Sequence, residues 1–268
     1  MKTTESGKIE TGFGKVYYER AGKGEKLIFL HAGFVDSRMW DGQWEAFSQH
    51  YEVFRYDLIG FGQSDPAQGR LARRDELKAF MDGLGIERAT LVGCSLSGET
   101  VLDFALEHPE RVAAQVLVSM VPSGFEFQGE PPADLIAMVS AMMAGDLEQA
   151  SEYQLRLWVD GPFRAPEQVD SAVREQARQM NRICLENGTY FKVEADPMNP
   201  LDPAAVGRLK EISAPTLIIV GELDNPEILR AGRYMAAEIS GARLITMANC
   251  AHLPNMEEPG LFNKNILP

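Results

Sequence analysis

Several features that would assign the chain to a large protein class are scarce in it. No stretch approaches the ~18 consecutive apolar residues of a membrane span, and the polar start MKTTESGKIE lacks the apolar segment of a secretory signal. The three cysteines (Cys94, Cys184 and Cys250) are too few and too widely spaced for a disulfide framework or a zinc site. We therefore expect a cytoplasmic protein with no membrane partner and no metal.

Basic residues are also in the minority. The 268 residues include 26 Lys and Arg against 39 Asp and Glu, which gives a net charge of −13. A surface of this charge repels nucleic acid, so we expect no nucleic-acid partner. With 45% hydrophobic residues the chain can form one large domain, or a core domain with a smaller insertion. The composition leaves a homo-oligomer open.

Short β-rich runs alternate with helical patterns along most of the chain, which predicts an α/β domain with a mostly parallel sheet. The apolar runs LIFL, TLVG, VLV and LIIV are typical of strands covered on both faces. Eight strands are predicted, at residues 9–12, 15–20, 26–31, 52–56, 89–94, 113–119, 215–220 and 242–247. Helices are predicted at residues 71–83, 96–107, 226–238 and 258–266.

One long segment breaks this alternation. Between residues 122 and 211 there are several helical patterns and no convincing strand, and prolines cluster at both ends of the segment. Prolines at both boundaries are typical of loops. We therefore predict a helical cap at 122–211, inserted into a core formed by residues 1–121 and 212–268. Ordinary crossover helices of a longer sheet are the alternative.

The segment LVGCSLSGET (residues 91–100) lacks the serine-hydrolase pattern G-x-S-x-G, yet it contains three candidate nucleophiles, Cys94, Ser95 and Ser97. A nucleophile on a sharp strand-to-helix turn needs small residues two positions before and after it, because the turn brings those residues together. Cys94 has valine and leucine there, and Ser97 has a glutamate on one side. Only Ser95, between Gly93 and Ser97, satisfies the rule. A plain helix N-cap is its alternative role.

A serine nucleophile needs a base, usually histidine, and four histidines are available. His50 follows one helical pattern and His108 ends another, so we expect both to be structural. His31 ends a strand, where we expect it to support a loop. His252 lies between the last predicted strand and the last helix, at the sheet edge where open α/β sheets hold their sites. We predict His252 as the base.

The base in turn needs an orienting carboxylate. The strand TLIIV runs into GELDNP, which offers Glu222 and Asp224. Asp224 lies deeper in the loop and can reach over the sheet edge, whereas we expect Glu222 to be a surface or turn residue. We predict Asp224 as the acid.

Together these segments resemble the α/β-hydrolase family over nearly the whole chain. HAGF is similar to the family's oxyanion loop, RYDLIGFGQSD to the turn after its fourth strand, GCSLSG to its nucleophile elbow, and VGELDNP and CAHLPNMEEP to its acid and base loops. The resemblance implies a doubly wound, mostly parallel eight-stranded sheet. It also implies that Ser95 attacks an acyl carbon, that His252 transfers the proton, that Asp224 orients the imidazole, and that no cofactor is needed.

By the same resemblance, the backbone N–H groups of Leu96 and Gly33 would form the oxyanion hole, with Phe34 as the alternative to Gly33. Two features depart from the family pattern. Ser97 replaces the usual glycine, and we expect it to fit with slight strain. The run RLARRDE (residues 70–76) is unusually charged, which leaves one wall of the pocket undefined.

The predicted substrate pocket combines Phe34 with apolar side chains of the cap. Met138 and Met142 share a helical face, and Trp158 adds aromatic bulk. A methionine stripe at this spacing is also typical of a core, which is the alternative interpretation.

We therefore predict a serine hydrolase that cleaves a small carboxylic ester or lactone through an acyl-enzyme. A C–C bond hydrolase of aromatic degradation and a cofactor-free perhydrolase use the same triad and remain alternatives, as does a non-catalytic receptor on this fold. Cys94 and Cys250 adjoin the predicted site. We expect them to be small buried hydrophobes, and the alternative hypothesis is that thiol modification blocks the site.

Overall fold

Eight strands form one sheet in the computed structural model, which describes residues 3–267. They are β1 (Glu5–Glu10), β2 (Lys15–Gly22), β3 (Lys26–Leu30), β4 (Glu52–Tyr56), β5 (Ala89–Cys94), β6 (Val112–Val118), β7 (Thr216–Gly221) and β8 (Arg243–Met247). Their order across the sheet is β1-β2-β4-β3-β5-β6-β7-β8. The pairs β1–β2 and β2–β4 are antiparallel and the others are parallel. The predicted mostly parallel eight-stranded sheet is confirmed.

The first strand differs from its prediction. It covers Glu5–Glu10 rather than 9–12, and residues 11–14 form the turn to β2, with the Thr11 N–H donating to the Gly14 carbonyl at 3.2 Å. The strand ESGKIE lies at the sheet edge and is mostly exposed. An edge strand needs few apolar residues, so hydrophobic periodicity gave no signal for its start.

Both faces of the sheet are buried. Ile28 and Leu30 of β3 belong to one hydrophobic cluster, whereas Leu27 and Phe29 belong to another. Because alternate residues of a strand point to opposite faces, helices must cover both sides. The helices are α1 (Asp41–Ser48), α2 (Arg73–Gly83), α3 (Leu96–Glu107), α4 (Ala133–Ala144), α5 (Leu147–Leu155), α6 (Ser171–Glu186), α7 (Pro226–Glu238), α8 (Pro254–Glu257) and α9 (Pro259–Ile266). Among residues 3–267, no helix combines the length and apolarity that crossing a membrane requires.

The segment between β6 and β7 is helical and contains no strand in the described chain. Besides α4, α5 and α6 it has two π-helical turns, Arg156–Asp160 and Tyr190–Glu194. Its helices share a small hydrophobic cluster of their own, formed by Ala141, Ala150 and Leu185 with Met142 packed against it. Met142 therefore contributes to packing within this segment, in line with the core interpretation of the methionine stripe.

The charged run RLARRDE lies largely in the interior. The Arg73 guanidinium donates to Glu76 at 2.6 Å and to Glu194 at 2.5 Å, and the side chains of Arg73 and Glu76 are 6% and 0% exposed. Glu76 also accepts from the Ile59 N–H at 2.6 Å. The network joins α2 to the loop after β4 and to the second π-helical turn. The run that left one wall of the pocket undefined is therefore a buried ionic link between the sheet layer and the helical segment.

Arg73→Met should destabilise the fold strongly, because it leaves the Glu76 carboxylate buried without its cation. We expect the free energy of unfolding to fall by about 3–5 kcal/mol, measured by urea unfolding. Arg182→Met is the matched control, since the Arg182–Glu186 pair is 79% and 51% exposed and its loss should leave the urea midpoint close to that of the wild type. Equal losses in the two variants would show that burial does not decide the effect.

Candidate active site

The turn between β5 and α3 holds Ser95 in an unusual backbone conformation, with φ 55° and ψ −118°. A positive φ costs free energy at a residue with a side chain, and such strain is concentrated at functional sites. A Cβ added at Gly93 would lie 2.3 Å from the Ser97 carbonyl oxygen. The residue two positions before Ser95 must therefore be glycine, which agrees with the steric rule that selected Ser95.

Ser97 has a role that the sequence did not indicate. Its side chain is fully buried, and its hydroxyl donates to the His31 carbonyl oxygen at 2.5 Å. The bond ties the first turn of α3 to the loop HAGF. A buried hydroxyl needs a partner, but nothing local in the sequence says which one.

The loops after β7 and β8 bring Asp224 and His252 together. His252 Nδ1 donates to Asp224 Oδ2 at 2.8 Å, and the two residues are 1% and 0% exposed. Asp224 Oδ1 accepts from the Asn225 N–H at 2.7 Å. Because the carboxylate can only accept, Nδ1 carries the proton and Nε2 is left with its lone pair. Glu222 is exposed at the loop surface.

His252 lies beside the end of β5. The Cys94 thiol, directly before Ser95, is 3.7 Å from the His252 carbonyl oxygen. His252 Nε2 is buried and has no hydrogen-bond partner among the described residues, so the Ser95 hydroxyl is not bonded to it. Catalytic hydrogen bonds commonly form only once substrate is bound.

Gly33 and Leu96 are neighbours, as an oxyanion hole built from both would require. A Cβ added at Gly33 would lie 3.0 Å from Leu96 Cδ2. Leu96 is the first residue of α3, so its N–H has no acceptor within the helix and the helix dipole favours negative charge there. Phe34 is buried, and its carbonyl accepts from the Asn181 side chain at 3.0 Å.

His31 supports the loop HAGF, as its position at the strand end suggested. Its Nδ1 donates to the Ala32 carbonyl at 2.9 Å, and its Nε2 accepts from the Leu58 N–H at 2.9 Å. Complete burial lowers the pKa of His31 to about 4. The ring is therefore neutral near pH 7, with both nitrogens already bonded.

Of the four predicted pocket residues, Trp158 contacts the site directly. Its ring centroid lies 4.7 Å from that of His252. Trp158 also lines a cleft of about 930 Å³, most of whose lining is apolar and which includes Pro131, Leu135 and Pro162. Neither Ser95 nor His252 is among the described residues that line this cleft. The buried Met138 does not line it either.

Sequence reasoning missed an acidic group close to Ser95. Glu99 lies one turn along α3, and burial, together with the charges of Asp103 and Glu194, raises its pKa to about 7. Burial also raises the pKa of Asp103 to about 6. The spacing of four residues on one helix was visible in the sequence, but Glu194 comes from the distant helical segment.

All three cysteines are buried. Burial raises the pKa of the Cys184 and Cys250 thiols to about 12, and that of Cys94 well above its usual value. Only the thiolate is nucleophilic.

We therefore expect the folded protein to leave all three thiols unmodified by iodoacetamide at pH 7.5, as counted by mass spectrometry. The same protein in concentrated urea is the control and should take three labels. Labelling of Cys94 or Cys250 in the folded state, with a parallel loss of activity, would instead support the hypothesis that thiol modification blocks the site.

A family model described as the α/β hydrolase fold matches residues 26–259. The chain belongs to the α/β-hydrolase family. It is 30% identical over 259 residues to 2-hydroxy-6-oxo-6-phenylhexa-2,4-dienoate hydrolase of Comamonas testosteroni, covering 93% of this chain and 88% of that protein. It is 27% identical to the carboxylesterase YbfK of Bacillus subtilis, covering 97% and 85%.

Among solved structures, the enol-lactonase of Burkholderia xenovorans LB400 superposes with a TM-score of 0.79 at 22% identity, covering 97% of this chain and 98% of that one. Identity this low shows the shared fold alone. Taken together, the family and its named relatives support hydrolase activity for this α/β-hydrolase.

Proposed function

We propose that this α/β-hydrolase is a serine hydrolase that cleaves a small uncharged carboxylic ester or lactone through an acyl-enzyme. The observation that carries the proposal is the buried Asp224–His252 hydrogen bond next to a serine held at positive φ. This arrangement leaves His252 Nε2 as a free acceptor near the strained turn, which is what a serine nucleophile needs.

In the proposed reaction, the Ser95 oxygen attacks the acyl carbon while its proton passes to His252 Nε2. Asp224 stabilises the resulting imidazolium, and the N–H groups of Leu96 and Gly33 donate to the oxyanion. When the tetrahedral intermediate collapses, His252 gives the proton to the departing alkoxide, and the acyl group stays on Ser95. Water, deprotonated by His252, then attacks the acyl carbon of the acyl-enzyme. As the acid is released, His252 returns this proton to the Ser95 oxygen. Each oxyanion donor is expected to lower the activation free energy by about 3–4 kcal/mol.

The charges of the cleft beside Trp158, which adjoins His252, favour an uncharged substrate. The cleft beside Trp158 is lined by four carboxylates and by only two arginines, Arg156 and Arg164. Both arginines are already in ion pairs, with Glu152 and Glu257. Every arginine of residues 122–211 has such a partner. Two of the four carboxylates, Asp160 and Glu227, are likewise paired, with Arg174 and Arg230. A carboxylate substrate would therefore find no free arginine in the described lining of this cleft, and would face the charges of Glu130 and Asp134.

C–C bond hydrolysis is the second candidate, because a dienoate hydrolase is among the similar relatives. A vinylogous diketone can be cleaved with the same triad once its ketone tautomer forms. Such a substrate carries a carboxylate, and the pairing of the arginines counts against it.

A substrate panel separates the two candidates. We would compare p-nitrophenyl acetate and butyrate, a δ-lactone and 2-hydroxy-6-oxo-6-phenylhexa-2,4-dienoate, with Ser95→Ala as the blank. The expected result is a kcat/KM for an ester or lactone about 100-fold above that for the dienoate, since an uncompensated buried charge costs several kcal/mol. Faster turnover of the dienoate would assign the second candidate. No turnover and no labelling by a fluorophosphonate would refute both.

A further inference from the structure

One carboxylate holds the backbone directly before His252. Glu257 Oε1 accepts from the Ala251 N–H at 2.7 Å, and Glu257 Oε2 accepts from Arg164 Nη1 at 2.6 Å. Glu257 lies in α8, immediately after the loop that carries His252. The carboxylate therefore bridges this loop and the helical segment.

The guanidinium of Arg164 uses its remaining donors on two more stretches of chain. It donates to the carbonyls of Val159 and Asp160, both at 2.8 Å, at the end of the π-helical turn that contains Trp158. It also donates to the Asn249 carbonyl at 3.3 Å, in the loop of residues 248–253 that carries His252 (the base loop). The Arg164 guanidinium thus connects the base loop, α8 and the π-helical turn whose tryptophan ring contacts His252.

Close packing reinforces this junction. Gly161 has φ 73°, and a Cβ there would lie 2.6 Å from the Leu223 carbonyl, next to Asp224, and 3.0 Å from the Ala251 side chain. The turn after Trp158 is therefore pressed against both the acid loop and the base loop.

Burial distinguishes this ion pair from the many surface pairs of the chain. The Arg164 and Glu257 side chains are 11% and 7% exposed. A buried pair is weak evidence for stability, because desolvation offsets most of the attraction. The geometry of the Arg164–Glu257 pair is better explained by a role in orienting the neighbouring loops. The planar guanidinium of arginine suits that role, because its donors have fixed directions.

We propose that Arg164 and Glu257 are positioning residues that set the place of His252 relative to Ser95 and Trp158. The inference rests on the proposed role of His252 as the base. The hydrogen bonds of Arg164 and Glu257 go to other groups than His252, so the effect passes through the Ala251 backbone and through the turn of Trp158.

The test compares two substitutions of similar size. Glu257→Gln keeps an oxygen that accepts from the Ala251 N–H, whereas Glu257→Leu removes it. In Glu257→Leu we expect kcat for a p-nitrophenyl ester to fall about 10- to 100-fold with KM within about twofold of wild type. In Glu257→Gln we expect kcat to stay within about threefold, because the hydrogen bond to the loop is retained.

A second readout does not depend on any substrate. In protein labelled with nitrogen-15 histidine, the Nδ1–H resonance of His252, assigned with His252→Gln, reports the bond to Asp224. It should shift or broaden in Glu257→Leu and stay in place in Glu257→Gln. Glu186→Leu, which removes an exposed pair on α6, is the control and should change neither the resonance nor kcat.

The outcomes separate this inference from the proposed function. If Glu257→Leu lowers only the melting temperature, with kcat and the resonance unchanged, Glu257 supports stability alone and the inference is overturned. A rise in KM at constant kcat overturns it too, since that marks substrate binding. If the wild type hydrolyses no ester yet the resonance responds as expected, the proposed function fails and the positioning role stands.

Discussion

Ser95→Ala is expected to lower kcat for the best ester or lactone by about 10⁴- to 10⁶-fold and to abolish fluorophosphonate labelling. In the proposed mechanism the substitution removes the nucleophile and leaves the oxyanion donors in place, so any residual rate would come from those donors and from binding. The measurement is kcat under saturating substrate, with circular dichroism to verify folding. Alanine has the same difficulty as serine at φ 55°, so the variant keeps the strain of the turn.

The two rival nucleophiles provide matched controls. Cys94→Ala should keep kcat within about threefold, because a buried thiol of raised pKa takes no part in the reaction. Ser97→Ala removes the bond to the His31 carbonyl, so we expect a loss of about 1–2 kcal/mol in stability and up to about tenfold in kcat. Continued labelling of Ser95→Ala, or its disappearance in Cys94→Ala, would mean that another residue attacks.

Asp224→Asn should lower kcat by roughly 10⁴-fold while preserving the fold. The Asn225 N–H bonds to Oδ1 of residue 224, so the asparagine oxygen takes that place and its NH₂ group turns towards His252 Nδ1. Nδ1 must then accept, the proton moves to Nε2, and Nε2 can no longer take the proton of Ser95. The loss should therefore appear in kcat, with KM little changed.

Glu222→Gln is the control for this substitution, because the neighbouring carboxylate is exposed. Its kcat should match that of the wild type. A loss of less than tenfold in Asp224→Asn would show that Asp224 does not orient the base, and a large loss in Glu222→Gln would transfer that role to the other carboxylate.

Features that depend on local sterics or on local apolar runs were predictable. The strand at 89–94 and the helix at 96–107 match β5 and α3, because a two-sided apolar run and a glycine-flanked turn leave few other conformations. The burial of Asp224 and the exposure of Glu222 likewise followed from the position of each residue in the loop. Asp224 and Glu222 belong to one short stretch of chain, so no information about distant contacts was needed to tell them apart.

Features that depend on distant partners were not predictable. Arg73 forms an ion pair with Glu194, and the Ser97 hydroxyl donates to the His31 carbonyl. The Trp158 ring packs against the ring of His252. In each case the local sequence showed a polar or aromatic residue but did not indicate which distant segment it would contact. The charged run RLARRDE likewise left one wall of the pocket undefined, because the burial of its charges depends on partners elsewhere in the chain.

The long helical segment between β6 and β7 also sets the order in which the protein can become active during folding. Val118 of β6 pairs with Ile219 of β7, so this contact closes a very long loop, and such contacts form late because the loss of chain entropy precedes any gain. Asp224 and His252 both lie beyond that junction, whereas Ser95 lies before it. A nascent or partly folded chain can therefore form the strained turn of Ser95 before Asp224 and His252 are in place. Under the proposed mechanism, reactivity would appear only when the last two strands dock.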